Sequence, residues 1–215
     1  MTLSIYGIVA SRAVRPLWAA KELGLDFNHV PTEFANKGTR TPEFLAVNPN
    51  GHIPALVDER ADGERIVVWE SMACTLYLAR HYGKGDGSDI APCSPAEDAQ
   101  ALRWSFWAVS EVEADALTVL MHRVVMPVER RKPELADAAE RRLAAPMQVL
   151  DRELASNKAI ASEPFLASAR FTVADICVAS VLNWTRSSHV LMEENPHVKD
   201  WLHRCLSRPA HKSLR

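Results

Sequence analysis

The sequence predicts an α/β domain with a mixed four-stranded sheet, followed by an all-α domain. Three observations support this division. Apolar runs of strand length alternate with helical patterns over the first 83 residues, a glycine-rich stretch then interrupts every pattern, and only helical periodicity follows. We therefore assign residues 1–83 to the first domain, residues 84–93 to a linker and residues 94–215 to the second domain.

The first domain opens with a β-α-β unit. A strand at residues 3–6 ends at Gly7, an apolar-periodic helix at residues 11–23 ends at Gly24, and residues 26–31 form a second strand. A crossover helix of this kind joins parallel neighbouring strands, so the first two strands are expected to pair in parallel.

The remainder of the first domain contains a short helix, a hairpin and a longer helix. The short helix, residues 42–47, ends at the turn sequence Asn-Pro-Asn-Gly. Two apolar runs, residues 53–57 and 66–69, flank a polar turn and predict an antiparallel hairpin. A helix at residues 70–82 follows and ends at Gly83.

The second domain carries helical patterns only. Ser94 is the cap of a helix whose apolar positions continue to Leu120, and a second long helix covers residues 133–156. Thr172 and Asp175 have the spacing of a capping box, in which the two residues satisfy each other's amide groups. Further helices are predicted at residues 172–184 and 193–206.

Composition excludes several classes of function. The chain is 47% hydrophobic with a net charge of -2, which argues against disorder and against sequence-independent nucleic-acid binding. No apolar run approaches the roughly 18 residues of a membrane span, and no secretory signal is visible, so a cytoplasmic location is expected. Neither a redox CxxC pair nor a zinc spacing is present, so no metal is expected. The cysteines are Cys74, Cys93, Cys177 and Cys205.

Three stretches resemble the cytosolic glutathione transferases. They are SRAVRPLWAAKELG at residues 11–24, VNPNGHIPALVD at residues 47–58 and WES at residues 69–71. The resemblance implies a thioredoxin-like first domain that binds glutathione and no metal. It also implies a homodimeric enzyme that conjugates the glutathione thiolate to a small hydrophobic electrophile.

The resemblance assigns the binding of glutathione to four residues. It implies that Pro54 follows a cis peptide bond, so that Ile53 presents its main chain to the cysteinyl part of glutathione like an added strand. Glu70 and Ser71 stand at the start of a helix, where amide groups and the dipole attract an anion. Ser71 is then expected to bind the γ-glutamyl α-carboxylate and Glu70 the α-ammonium group.

Basic side chains are candidates for binding the glycyl carboxylate. They are Lys37, Arg40 and His52, with His52 favoured because it directly precedes Ile53. A solvated loop is an equally good interpretation of these residues.

The catalytic group is expected just after the first strand, where family enzymes carry Tyr, Ser or Cys. By register with the first helix, that position is Ile8 here, which cannot donate a hydrogen bond. Ser11 is the nearest hydroxyl, and it is the candidate for activating the thiol together with Arg12. Helix capping by Ser11 is the alternative, and the two roles are compatible. Tyr6 lies within the strand and is expected to pack.

The second domain is expected to supply the surface for the hydrophobic co-substrate. The candidates are Trp104, Phe106, Trp107, Met121, His122 and Arg123. An aromatic stripe at helical spacing is usually core, so each residue has that alternative. Two other functions stay open: a glutathione- or ligand-binding homologue with weak or absent chemistry, and a glutathione-dependent reductase. The reductase ranks last because no cysteine lies near Ile8.

Overall fold

The computed structural model describes residues 2–158 and 162–214, and within them it confirms the predicted fold class. The chain divides into two compact units. The first comprises Met1–Cys93 with Pro209–Arg215 and contains a mixed four-stranded sheet, whereas the second, Ser94–Arg208, is helical. The assignment of residues 84–93 as a linker stays a prediction.

The sheet of the first unit has four strands, β1 (Thr2–Tyr6), β2 (Asn28–Val30), β3 (Ala55–Glu59) and β4 (Arg65–Trp69). Their order in the sheet is β2-β1-β3-β4. As predicted, β1 pairs with β2 in parallel; it pairs antiparallel with β3, which pairs antiparallel with β4. The helices of this unit are α1 (Val14–Glu22), α2 (Pro42–Val47), α3 (Ser71–Tyr82) and α10 (Pro209–Lys212).

Helices cover both faces of the sheet. Ala55 and Val57 on β3 pack with Phe44 and Val47 of α2 in one buried cluster. Successive side chains of a strand point to opposite faces, so Asp58 faces the other side, where the Tyr77 hydroxyl on α3 donates to it. Helices α1 and α3 pack against each other, and α10 packs on α1.

The second unit is built around two helices. The helix α6 (Pro133–Asn157) spans 25 residues, and every residue of α7 (Val173–Leu182) is buried. The predicted capping box at the start of α7 is present: the main-chain N–H of Thr172 donates to Asp175 Oδ2 at 2.9 Å. The helices are α4 (Pro95–Trp107), α5 (Glu113–Leu120), α6 (Pro133–Asn157), α7 (Val173–Leu182), α8 (His189–Glu194) and α9 (Pro196–Leu206).

The helices differ from the sequence-based prediction in three main places. The helix expected from Ser94 to Leu120 is interrupted by a π-helical turn, Ala108–Val112. Around the helix expected at residues 193–206 the structure has two helices, His189–Glu194 and Pro196–Leu206. The first helix begins at Val14 rather than at residue 11, since Ser11 belongs to a preceding turn. In the described part of the chain, no helix combines the length and the apolar character that crossing a bilayer needs.

Candidate functional site

The loop before β3 presents the main chain of Ile53. The peptide bond between Ile53 and Pro54 is cis, as the resemblance implied. Asn48 is buried, and its Nδ2 donates to the carbonyl of His52 at 2.7 Å while its Oδ1 accepts from Asn50 N–H at 3.1 Å. A buried side-chain amide therefore fixes the loop on which Ile53 lies.

The N-terminus of α3 forms the second part of the site. Ser71 is the first residue of the helix and is 5% exposed, whereas Glu70 precedes it with an exposed side chain. The first intrahelical bond runs from Cys74 N–H to the Glu70 carbonyl at 2.9 Å. The N–H groups before Cys74 have no partner within their helix, and together with the dipole they favour an anion at this end.

Arg15 lies beneath this helix end. Its side chain is 0% exposed, and its guanidinium donates to Ser71 Oγ at 2.7 Å. This contact was not predicted from the sequence. An arginine among the apolar residues at the start of α1 indicates burial but does not indicate its partner, which lies 56 positions away.

The turn between β1 and α1 holds Ser11. The Ser11 hydroxyl donates to the Ile8 carbonyl at 2.7 Å, and its oxygen accepts from Ala13 N–H at 3.1 Å. Ser11 therefore holds the turn before α1 by two bonds to the main chain, whereas the N-cap residue of α1 is Ala13, which makes no side-chain capping bond.

Close packing at Gly7 places this turn beside Ile53. A Cβ built on Gly7, whose φ is +132°, would lie 2.6 Å from the Cβ of Ala13 and 3.2 Å from that of Ile53. Only glycine tolerates both the backbone angle and this approach. The turn that carries Ser11 and the loop that carries the cis bond thus meet at Gly7.

The two other residues considered for the catalytic position, Tyr6 at the end of β1 and Ile8 after it, are packing residues. Ile8 and Tyr6 lie against the buried cluster under the sheet, and the ring centroids of Tyr6 and Phe44 are 6.0 Å apart. An isoleucine at position 8 therefore extends the core. Arg12, the proposed partner of Ser11, is half-buried in the same turn.

The three basic candidates lie at the surface around the Ile53 loop. Lys37 and Arg40 belong to a 3₁₀ segment, Ala35–Arg40, and both side chains are exposed, as is that of His52. The Arg40 guanidinium donates to the Asn50 carbonyl at 3.3 Å, two residues before His52. This bond holds Arg40 against the loop that carries His52.

The aromatic and basic candidates of the second unit divide into three groups. Trp104 is buried and meets the half-buried Trp107 edge to face, with ring centroids 5.2 Å apart, whereas Phe106 is 67% exposed. Arg123 donates to Glu140 at 2.8 Å, which raises the pKa of its guanidinium. His122 and Met121 are half-buried at a π-helical turn, Met121–Val125, and His122 Nδ1 accepts from the Lys132 N–H.

Thiol chemistry by the protein itself has little support. All four cysteines lie in the described part of the chain; none of them forms a disulfide bond, and Cys93 is the exposed one. Burial raises the pKa of the Cys74 thiol, which would disfavour its thiolate. Among residues 2–158 and 162–214, no group of three or more His, Cys, Asp or Glu side chains has a geometry suited to a metal ion.

Comparison with known protein families gives two matches that together extend over most of the chain. Residues 1–80 match the family model described as glutathione S-transferase, N-terminal domain, and residues 113–209 match the corresponding C-terminal domain.

Individual relatives agree with these matches. The chain is 32% identical to glutathione S-transferase 3 of Zea mays over 97% of its own length and 90% of the relative's. It is 33% identical to the disulfide-bond oxidoreductase YfcG of Escherichia coli, covering 88% of this chain and 83% of that one. A solved structure of glutathione S-transferase I bound with lactoylglutathione superposes with a TM-score of 0.82 at 25% identity, covering 100% and 98% of the two chains.

Proposed function

Because this chain belongs to the cytosolic glutathione transferase family, we propose that it binds glutathione and conjugates the thiolate to a small hydrophobic electrophile. The observation that carries the proposal is that two elements of the first unit adjoin, because β3 and β4 pair Ala55 with Trp69. One is the main chain of Ile53, which precedes the cis peptide bond, and the other is the N-terminus of α3 with Glu70 and Ser71. The relative solved with lactoylglutathione supports a ligand of this class.

Each part of the tripeptide has a chemically matched group in this proposal. The cysteinyl main chain pairs with Ile53, and the γ-glutamyl carboxylate accepts from Ser71 and the first amides of α3. The exposed Glu70 carboxylate pairs with the α-ammonium group. His52 and Arg40 take the glycyl carboxylate, with Lys37 as a further cation near the same loop.

Calorimetry with glutathione tests the binding step. The double variant Glu70→Ala/Ser71→Ala should lose about tenfold or more in affinity, because a charge pair and a charge-assisted hydrogen bond disappear together. The matched control is Glu64→Ala/Ser88→Ala, which removes an exposed acid and serine elsewhere in the first unit and should bind as the unaltered protein does. Equal affinities in both double variants would refute the assignment of the helix mouth.

Ser11 is the proposed catalytic group, assisted by Arg12. Its single proton is directed at the Ile8 carbonyl, and rotation about the Cβ–Oγ bond would redirect it to a bound thiolate while the oxygen still accepts from Ala13. A thiolate stabilised in this way has a lowered thiol pKa and reacts at neutral pH.

Turnover of a generic aryl halide tests this role. Ser11→Ala should lower kcat by roughly 10- to 100-fold with unchanged glutathione affinity, whereas Ser11→Thr keeps a hydroxyl and retains activity. Full activity of Ser11→Ala would exclude Ser11. Glutathione binding by the unaltered protein without any turnover would favour the alternative of a binding homologue, for which the packed Ile8 is the supporting observation.

A second candidate is glutathione-dependent disulfide reduction. The similarity to a disulfide-bond oxidoreductase favours it. Bound glutathione thiolate would attack a small disulfide, and a second glutathione would complete the exchange with release of oxidised glutathione. Reduction of a hydroxyethyl disulfide that persists when Cys93 is replaced by serine would support this activity.

The proposal also covers assembly and location. The resemblance implies a homodimer, and sedimentation of the purified chain at about twice its 23.9 kDa mass would support this oligomeric state. We infer a cytoplasmic location from the sequence. We place the surface for the electrophile on the second unit, where Phe106 offers the largest exposed aromatic side chain of the candidates.

A further inference from the structure

Arg15 carries a positive charge next to Ser71 of the proposed glutathione site, although its own side chain is not exposed to solvent. It stands in the first turn of α1 with 0% exposure, and Ser71 on α3 is 5% exposed. The 2.7 Å bond between its guanidinium and Ser71 Oγ joins the two helices. A side chain so buried cannot itself reach a ligand bound at the surface.

The bond fixes the direction of the Ser71 hydroxyl. A guanidinium only donates, so Ser71 Oγ is the acceptor in this contact and its own proton must point elsewhere. The proton of the Ser71 hydroxyl can therefore be donated to an acceptor at the N-terminus of α3. Arginine is always protonated, and a positive charge in a medium of low dielectric acts more strongly on a nearby anion than one in water.

We propose that Arg15 is a positioning residue that acts through Ser71 and makes the site selective for a ligand with an α-carboxylate in its γ-glutamyl part. This inference rests on the proposed binding of glutathione. The bond orients the hydroxyl proton toward the carboxylate, and the buried charge adds to the positive end of the α3 dipole. Ligand selection therefore depends on a residue 56 positions away in sequence from the group it orients.

A purely structural role makes a different prediction. If Arg15 only fastened α1 to α3, its replacement would weaken every ligand of the site to the same extent. If Arg15 positions Ser71, its replacement should lower the affinity only for ligands that carry the α-carboxylate. The comparison therefore needs two ligands that differ only in that group.

Calorimetry with glutathione and with 4-aminobutanoyl-cysteinyl-glycine makes this comparison. The second compound keeps the ammonium group and lacks the α-carboxylate. The unaltered protein should prefer glutathione by about tenfold or more. Arg15→Met should reduce that preference to less than threefold by weakening the binding of glutathione alone. Arg15→Lys should restore part of the preference, because lysine returns the positive charge without the planar guanidinium group.

Leu17→Ala is the matched control. Leu17 is a buried residue of the same helix, so this variant perturbs the packing of α1 without removing a charge. This variant should lower the affinity for both ligands to the same extent or leave both affinities unchanged. Ser71→Ala combined with Arg15→Met should show no further loss of preference beyond that of either single variant, since the two residues act as one unit.

The outcomes separate the two proposals. If the unaltered protein binds neither compound at millimolar concentration, the proposed function fails. If it binds glutathione selectively and Arg15→Met retains the selectivity, the inference about Arg15 is overturned while the proposed function stands. Should Arg15→Met fail to fold by circular dichroism, Arg15→Lys and Arg15→Gln decide the question in the same way, because a full preference in both would overturn it.

Discussion

The indole N–H of Trp201 donates to Asp175 Oδ1 at 2.8 Å in the interior of the second unit. The same oxygen accepts from Leu166 N–H at 3.0 Å, and Asp175 Oδ2 accepts from Thr172 N–H at 2.9 Å. One fully buried carboxylate thus joins the start of α7, the preceding loop and α9. Burial raises the pKa of this carboxyl, and the donors from Trp201 and Thr172 oppose that effect.

Replacement of Asp175 by asparagine should destabilise the chain by about 3 kcal/mol, because an amide cannot accept from all these donors and leaves buried N–H groups unsatisfied. Urea unfolding measures the change. Thr172→Ala, which leaves the Trp201 and Leu166 bonds in place, should cost only about 1 kcal/mol. Equal costs for the two variants would show that Asp175 acts only as a helix cap.

Gly7→Ala tests the close approach between the Ser11 turn and the Ile53 loop. The added Cβ would lie 2.6 Å from that of Ala13, so the turn must shift, and both stability and glutathione affinity should fall. We expect a loss of about 2 kcal/mol in the free energy of unfolding.

Gly63→Ala is its matched control. Gly63 also has a positive φ, +89°, but a Cβ there meets no atom within 4 Å. The backbone cost alone, about 1 kcal/mol, should appear, with glutathione affinity unchanged. A Gly63→Ala variant that bound glutathione as poorly as Gly7→Ala would mean that general destabilisation, and not the turn, is responsible.

Alkaline pH should weaken the first unit through Tyr77. Burial raises the pKa of Tyr77 to about 12, and its hydroxyl donates to the buried Asp58 at 2.6 Å. The folded state therefore holds this proton more tightly than the unfolded state, whose tyrosine ionises near 10. The stabilisation is complete below pH 10 and is lost as the pH rises toward about 12.

The free energy of unfolding measured between pH 9 and pH 12 checks this dependence. Tyr77→Phe should be less stable at neutral pH, since Asp58 loses a donor, and should show a shallower decline above pH 10. Tyr82, whose pKa burial also raises, maintains part of the slope in the variant. An identical slope in both proteins would exclude Tyr77 as its source.

The sequence predicted what depends on local pattern and missed what depends on tertiary contact. The hairpin, the capping box at Thr172 and the turn before Ile53 all have signals within a few residues, and each is present in the structure. The Arg15–Ser71 bond has no such signal, because it forms only when α1 packs on α3. The late start of α1 has a local cause instead, since Ser11 bonds to Ile8 and Ala13 within the preceding turn.

Glu70 combines backbone strain with its proposed binding role. Its φ of 73° and ψ of 122° place a residue with a side chain in a region that favours glycine. We expect this strain at the N-terminus of α3 to orient the exposed side chain and the following amides outward. Glu70→Gly should therefore be more stable than Glu70→Ala by about 1 kcal/mol, because glycine adopts this geometry without the Cβ clash.

Both Glu70 variants should lose about tenfold in glutathione affinity, since both lack the carboxylate that we propose to pair with the ammonium group. Position 64 is a control for which the opposite order of stability is expected. Glu64 does not have a positive φ, so Glu64→Gly should be less stable than Glu64→Ala. Thermal unfolding of the four variants, together with calorimetry, separates strain from binding. If Glu70→Gly were no more stable than Glu70→Ala, the strained geometry would have no energetic cost at this position, and the proposed link between strain and the outward orientation of the site would fail.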